Sequence, residues 1–445
     1  MRRRVALVTG HFAPSNLVGA HRARLWSRYL PEFGWEPVVV TGDPAKYEER
    51  PDPDLERLVP AGLEVVHAAT LSTRPVRLVG DIGVRAFWGC YRVLSSMAKA
   101  GRLDFVLVTI PSNYFAPLGR LVHMRRGVPF GIDYQDPWVN RWPGVDVPFS
   151  RAWMSYRLAG LLEPWSVRGA ALITGMAPGY VAGMLERNPG VADRAVLSYM
   201  PMGSAPEDYA LVRDLQREPF LFRPDDGHFH LIYAGALLPA GLEVVDAFLA
   251  GLHALREQAP RAAARLRVHF VGTGSSPDDP QGFRVLPRAQ TAGVTDMVSE
   301  HPHRIGYVDA LGHLMQSSGV LVLGSTERHY TPSKVFQAIL SERPVFAMLH
   351  EESTAVSMIR QGEAGEVLTL TGQRLPAPEE VAAALLAFSL GLPAYVLNKA
   401  LTPGFFARGD TATPMRLAAI SMTAAVTGLV LAELLQRWAR RRLEA

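Results

Sequence analysis

Residues 329–340 read HYTPSKVFQAIL, and they follow GVLVLG at 319–324. The earlier run is short, continuous and apolar, as in a strand buried on both faces. The later one reads as a helix start. Thr331 is placed to cap it, Pro332 suits its first position, and Ser333 and Lys334 fall in its first turn. First-turn amides have no partner inside the helix, and the helix dipole adds partial positive charge. A lysine beside them at the carboxyl end of a strand describes an anion site suited to phosphate. A capped helix with a solvent-facing lysine fits the same residues.

Working outward, the strand–helix alternation recurs. Strands are expected at 4–9, 36–41, 63–67, 104–109, 129–133 and 171–174, with helices at 17–32, 80–100, 114–126 and 150–168. A polar, turn-rich stretch at 202–227 interrupts the series. A second series then gives strands at 228–234, 266–272, 304–308, 319–324 and 344–349, with helices at 241–257, 309–317 and 332–342. The pattern predicts two tandem α/β halves, each with a parallel sheet wound by crossover helices. The expected division is residues 1–205, a linker at 206–227, residues 228–380, and a tail at 381–445. Ligands in such folds lie outside the carboxyl ends of the strands, here between the halves.

The 445-residue chain carries a net charge of only +4, with arginine and acidic residues interspersed, so no nucleic-acid partner is implied. A single cysteine, Cys90, excludes an internal disulfide or a cysteine zinc site and reads as a small buried residue. The histidines show no metal-ligand spacing, and no metal site is expected. After MRRR, the run VALV is too short for a signal-peptide core, so the catalytic part is expected in the cytoplasm.

Other stretches carry possible chemistry. YAGAL at 233–237 and FVGTGSS at 270–276 place Gly235 and Gly272 at strand ends, where backbone can approach a ligand or simply turn. In TGHFAPSNLVGAHRARLWSRYL at 9–30, Arg22 lies near a helix start, either facing the cleft or solvated. In GIDYQDPWVNRW at 131–142, Asp133 and Asp136 follow a strand, with Trp138 and Trp142 nearby. A carboxylate at a cleft mouth can take a proton from an attacking hydroxyl, and Asp136, deeper in the loop, is the preferred base. A turn-forming Asp-Pro with core tryptophans is the alternative.

Taken together, FAPSN…HRAR, DYQDPW, YAGAL and YTPSKVFQAILSERPVFAM resemble GT-B glycosyltransferases of the family 4-like group, over roughly residues 3–375. The resemblance implies two Rossmann-like parallel-sheet domains facing across a cleft, plus a C-terminal hydrophobic helical tail. It implies hexosyl transfer without a metal or other cofactor, from a nucleoside-diphosphate sugar to a lipid-linked or polysaccharide acceptor, in bacterial cell-envelope synthesis. By position, Lys334 and the helix start behind Ser333 would hold the diphosphate, with Gly235, Gly272, Thr331, Gln337 and Glu327 on the donor side. Asp136 would be catalytic, with Arg22, Asp133 and Trp138 toward the acceptor. Gln337 and His329 stand where retaining members carry glutamates, and the basic residue that often follows YAG is absent. An epimerase of the same fold and a non-catalytic scaffold are the alternatives.

The tail segment 385–426, with LTPGFFARGDTATP, resembles part of MurJ/MviN-type lipid II flippases. Val381–Leu397 and Leu417–Ala432 lack charged residues but are short for full membrane spans. Tilted membrane segments and a helical pair packed on the second domain both fit. Residues 74–102 mix arginines with Phe87, Trp88 and Tyr91, which suits either a membrane surface or a core helix. On the membrane reading, the protein is expected to be peripheral to the inner face of the cell membrane.

Overall fold

The computed structural model describes residues 3–389, apart from 76–79, 111, 142–143, 238, 275–281, 329 and 373. The first half forms β1 (Arg3–Thr9), β2 (Trp35–Gly42), β3 (Glu64–Ala68), β4 (Phe105–Ile110), β5 (Phe130–Tyr134), β6 (Leu172–Gly175) and β7 (Val196–Tyr199). These make one sheet of order β3-β2-β1-β4-β5-β6-β7, parallel throughout. The second half forms β8 (Phe229–Ala234), β9 (Leu266–Val271), β10 (Val298–His301), β11 (Gly319–Leu323), β12 (Val345–His350) and β13 (Gly365–Leu370). Its order is β10-β9-β8-β11-β12-β13, again all parallel. Val, Leu and Ile dominate both sheets because helices cover both faces. A parallel sheet also brings every strand's carboxyl end to one edge, so each half offers one ligand-facing rim.

Four expectations need correction. Residues 304–308 are not a strand. The strand is Val298–His301, and a helix begins at Tyr307 because Asp52 accepts the Tyr307 backbone N–H at 2.6 Å. The stretch at 206–227 is more than a linker, since Pro206–Leu215 is helical. There Asp208 accepts hydrogen bonds from Arg24 Nη1 and Nη2, at 2.7 and 2.6 Å, and from the Tyr307 hydroxyl at 3.0 Å. Tyr209 and Val212 join Leu55 and Leu58 of the first half and Val308 and Leu311 of the second in one apolar cluster. Arg217 adds ion pairs to Asp54 (2.6 Å) and Asp309 (2.7 Å). The second domain also runs past residue 380, because a helix over 378–389 puts Val381, Ala382 and Leu385 into its core. Burying such side chains stabilises by about 1.5–3 kcal/mol for each large one. The flippase-like stretch beyond this helix lies outside the described residues.

The fourth correction concerns Arg22 and Asp133. Arg22 is fully buried and turned away from the cleft. Its Nε and Nη2 meet the two Asp133 oxygens at 3.0 and 2.7 Å. Its Nη1 donates to the Met200 and Pro201 carbonyls at 2.7 and 2.6 Å, and the guanidinium lies 4.6 Å from the Trp26 ring centre. Asp133 also accepts the Thr174 hydroxyl at 2.5 Å. The pair ties the first helix to β5, β6 and the chain after β7. Trp138 is likewise packed into the first core. Cys90 is buried as expected, and burial pushes its thiol up to about 12.

Replacing Arg22 with methionine strands the Asp133 carboxylate in the core, which should cost about 3–5 kcal/mol. Urea denaturation checks this. A loss under about 1 kcal/mol would show that the pair is not the buttress its geometry indicates.

Candidate functional site

The two rims enclose a cavity of about 380 Å³. From the first half, Asn16 and His21 reach it from the segment after β1, Gln135 and Asp136 from the end of β5, and Tyr180 from the helix after β6. From the second half come Gly235 after β8, Gly272 after β9, Arg304 after β10, and Thr331, Ser333, Lys334 and Gln337 after β11. This is the rim location that parallel topology favours for ligands.

Lys334 stands out on the second-half wall of the cavity. Its Nζ is buried without a hydrogen-bond partner and sits 3.5 Å from the centre of the Tyr233 ring. Burial lowers its pKa to about 7. A buried ammonium with no acceptor is costly, and the ring face returns only part of the lost hydration. Gly235 makes room for it. A Cβ there would lie 3.1 Å from Nζ, and φ of +131° suits only glycine. Gly272, at φ +70°, carries the backbone past the cavity from the next strand.

The helix itself is shorter than expected, Val335–Leu340, with Lys334 at the N-cap position. Thr331 does not cap it. The Thr331 hydroxyl is 2.8 Å from that of Thr354, and the turn closes through Val335 N–H to the Pro332 carbonyl at 3.1 Å. With its amide nitrogen turned inward, Gln337 donates to the Ser333 and Lys334 carbonyls at 2.8 and 3.2 Å. It therefore braces the loop that presents the lysine. Glu327 is exposed and lies outside the cavity lining. His329 lies outside the described residues.

On the opposite wall, Asp136 keeps an open face toward the cavity, yet the surrounding protein desolvates its carboxyl and raises its pKa to about 6. It is the lining's one carboxylate, among the described residues. Beside it, Gln135 is buried with neither its amide oxygen nor its nitrogen bonded. Such a group awaits a ligand or water. His21 is held neutral, its pKa lowered to about 3 by burial and by the nearby Arg24 and Arg304 charges. No group of three or more His, Cys, Asp or Glu side chains suited to a metal ion occurs among the described residues.

Residues 19–201 match the glycosyl transferase 4-like domain family, and residues 375–437 match the lipid II flippase MurJ family. Solved structures are similar over most of the chain's length. The N-terminal domain of Candida albicans trehalose-6-phosphate phosphatase superposes with a TM-score of 0.54 at 13% identity, covering 90% of this chain and 93% of that one. A UDP-forming alpha,alpha-trehalose-phosphate synthase from Burkholderia xenovorans gives 0.54 at 15% identity, covering 96% and 98%. Anabaena HepE in complex with UDP gives 0.50 at 14%, covering 98% and 100%. The fold is GT-B.

The flippase-like match takes in the helix over 378–389 that closes the second domain and continues beyond the described residues. The probable lipid II flippase MurJ of Rhizobium tropici is 44% identical over 70 residues, which is 13% of this chain and 13% of that protein. The one from Rhizobium meliloti (strain 1021) is 42% identical over 80 residues, 15% of each. The chain thus spans only a small part of the flippases it matches. No helix among the described residues is long and apolar enough to cross a membrane.

Of the residues expected at the site, Lys334, Ser333, Thr331, Gln337, Gly235, Gly272 and Asp136 come together in the GT-B cleft. Arg22, Asp133, Trp138 and Glu327 do not. Gln135 and Arg304 were missed. Gln135 carried no signal beyond standing next to Asp136, and Arg304 lay in a run misread as a strand.

The Lys334 ammonium should titrate near pH 7 in the free protein, seen as the chemical shift of its reductively ¹³C-methylated form. A midpoint above 9 would mean the cleft does not desolvate it.

Proposed function

We propose that the cleft transfers a sugar from a nucleoside diphosphate to a lipid-linked or polysaccharide acceptor. The observation that carries this reading is the unpartnered Lys334 ammonium, walled by Tyr233 and faced by Gly235. A diphosphate supplies the missing acceptor. Because the ammonium is fixed before the ligand arrives, it stabilises charge growing on the leaving diphosphate without reorganising. Arg304 brings a second positive charge to the same wall. Ser333 and the glycine turns offer backbone and hydroxyl contacts to the nucleotide, with Gln337 near its ribose.

Asp136 acts from the acceptor side as general base. Its raised pKa lets it accept a proton from the acceptor hydroxyl near neutral pH and release it afterwards. Gln135, with a free donor and acceptor, orients a sugar hydroxyl. The bond from anomeric carbon to diphosphate oxygen breaks and the bond to the acceptor oxygen forms. The acceptor proton passes to Asp136, and the negative charge leaves on the nucleotide. A solved structure of similar fold, Anabaena HepE, holds UDP, which is consistent with this reading. An epimerase would need carboxylates from the second half, and the lining's carboxylate comes from the first.

Lys334→Ala should weaken binding of UDP about 100-fold, the size of a lost charge-assisted contact of ~3 kcal/mol. Isothermal calorimetry measures this, and unchanged affinity would remove the phosphate assignment. Asp136→Asn should keep UDP affinity and slow sugar-dependent nucleotide release by about 10²–10⁴.

The pH profile follows from the same two groups. Asp136 must lose its proton, so kcat/KM should rise through about pH 6. Lys334 must keep its proton, so kcat/KM should fall above about pH 7. A diphosphate raises the lysine's pKa, so UDP binding at pH 8 should take up a proton, visible as a buffer-dependent enthalpy. A profile flat from pH 5 to 9 would contradict both roles.

A further inference from the structure

We propose that the outer face of the first domain, built by helices Ala116–Arg126 and Arg151–Val167, docks on an anionic lipid bilayer. The second helix is inverted relative to an ordinary surface helix. Its acidic residue, Glu163, points inward, where it is fully buried against Arg187 at 2.7 and 3.0 Å. Its apolar residues point outward. Met154, Leu158, Leu161 and Trp165 recur at helical spacing along one exposed stripe, and Leu161 is 72% exposed. Phe149, 79% exposed, extends the stripe past the helix start and meets Trp153 at 5.3 Å. Met124, on the neighbouring helix, is exposed as well.

The exposed charges on these two helices have one sign, and the nearby Asp146, beyond Phe149, is paired with Arg141 at 2.6 Å. Arg125, Arg126, Arg151, Arg157 and Arg168 are exposed, and Arg120 lies 4.8 Å from the Trp165 ring centre. Glu163 is the one carboxylate on either helix, and it is buried. Arg120 also donates to the Trp165 and Arg168 carbonyls at 2.7 and 3.1 Å, which holds the two helices together at the patch. An apolar stripe rimmed by guanidinium groups matches the head-group boundary of a bilayer, where rings and alkyl chains enter and arginines meet lipid phosphates. A second copy of the chain is a poor occupant, since it would bring the same positive charges face to face. The surface is separate from the cleft, so the inference stands whether or not the transferase reading holds.

The test is flotation of the full chain with vesicles of phosphatidylcholine, with and without phosphatidylglycerol. The chain should float with the anionic vesicles, and binding should weaken in about 0.5 M salt, where surface charges are screened. Leu161→Glu should abolish flotation. Arg151→Glu with Arg157→Glu should lower partition by about fivefold or more for each charge. Phe33→Glu, an exposed apolar residue outside these helices, should float like the unaltered chain. Circular dichroism and the melting temperature report folding, and should Leu161→Glu unfold, the arginine pair carries the test. The proposal is overturned if the chain floats equally with neutral vesicles or with none. It is also overturned if the folded variants float unchanged, which would place any membrane contact elsewhere in the chain. Self-association that Leu161→Glu dissolves, without lipid binding, would overturn it in favour of a second copy.

Discussion

The cleft exists because one buried carboxylate is shared by three parts of the chain. Asp208, on the connecting helix, takes the two terminal guanidinium nitrogens of Arg24 from the first domain and the Tyr307 hydroxyl from the second. Two parallel sheets each supply a rim, but nothing in the topology of either one sets how the rims face. That relation is fixed by the Asp208 node, by Asp52 on the Tyr307 amide, and by the apolar cluster of Leu55, Leu58, Val212 and Val308. A carboxylate that has left water is stable only with its partners in place. The node therefore restricts the lobes to arrangements that keep Arg24 and Tyr307 together.

Two cations, Arg22 in the first half and Lys334 in the second, show how structure and site differ physically. Arg22 has every strong partner it can use: two carboxylate oxygens and two carbonyls. Lys334 has none, only a ring face. Both came from the same kind of sequence context, a basic residue near a helix start after a strand. The first is spent on holding helices and strands together. The second is left unsatisfied at the rim, and the stability it forgoes is what a phosphate would restore. Gln135 follows the same logic beside Asp136.

Most of the fold was legible because strands covered on both faces have a plain signature. VALV, VVV and VLVL fall in β1, β2 and β11, where burial is continuous. The strands that escaped, β7, β10 and β13, sit at sheet edges and are partly exposed, so VLSY, VSEH and GEVLTL show no such run. RIGYV looked like a strand by composition, but Gly306 opens a helix there once Asp52, far away in the chain, binds the next amide. Long-range contacts of that kind leave no local mark. The same limit explains Arg22 and Asp133: sequence places them near the cleft, but which way a side chain turns depends on the carbonyls of Met200 and Pro201 waiting behind it. Lys334, Asp136 and the two glycines were legible because strand ends in a parallel sheet must meet at the rim.

The helix over 378–389 has a consequence for how the protein is made. Val381 lies against Gly251 so closely that a methyl group on that glycine would overlap it. The second domain's interior is therefore closed by residues translated after all six of its strands. A nascent chain emerging from the ribosome would hold this domain with one wall open until that late segment arrives, while the first domain's sheet is already complete. Chaperone engagement during synthesis should accordingly centre on the second lobe, in the interval between the appearance of β13 and the closing of that wall.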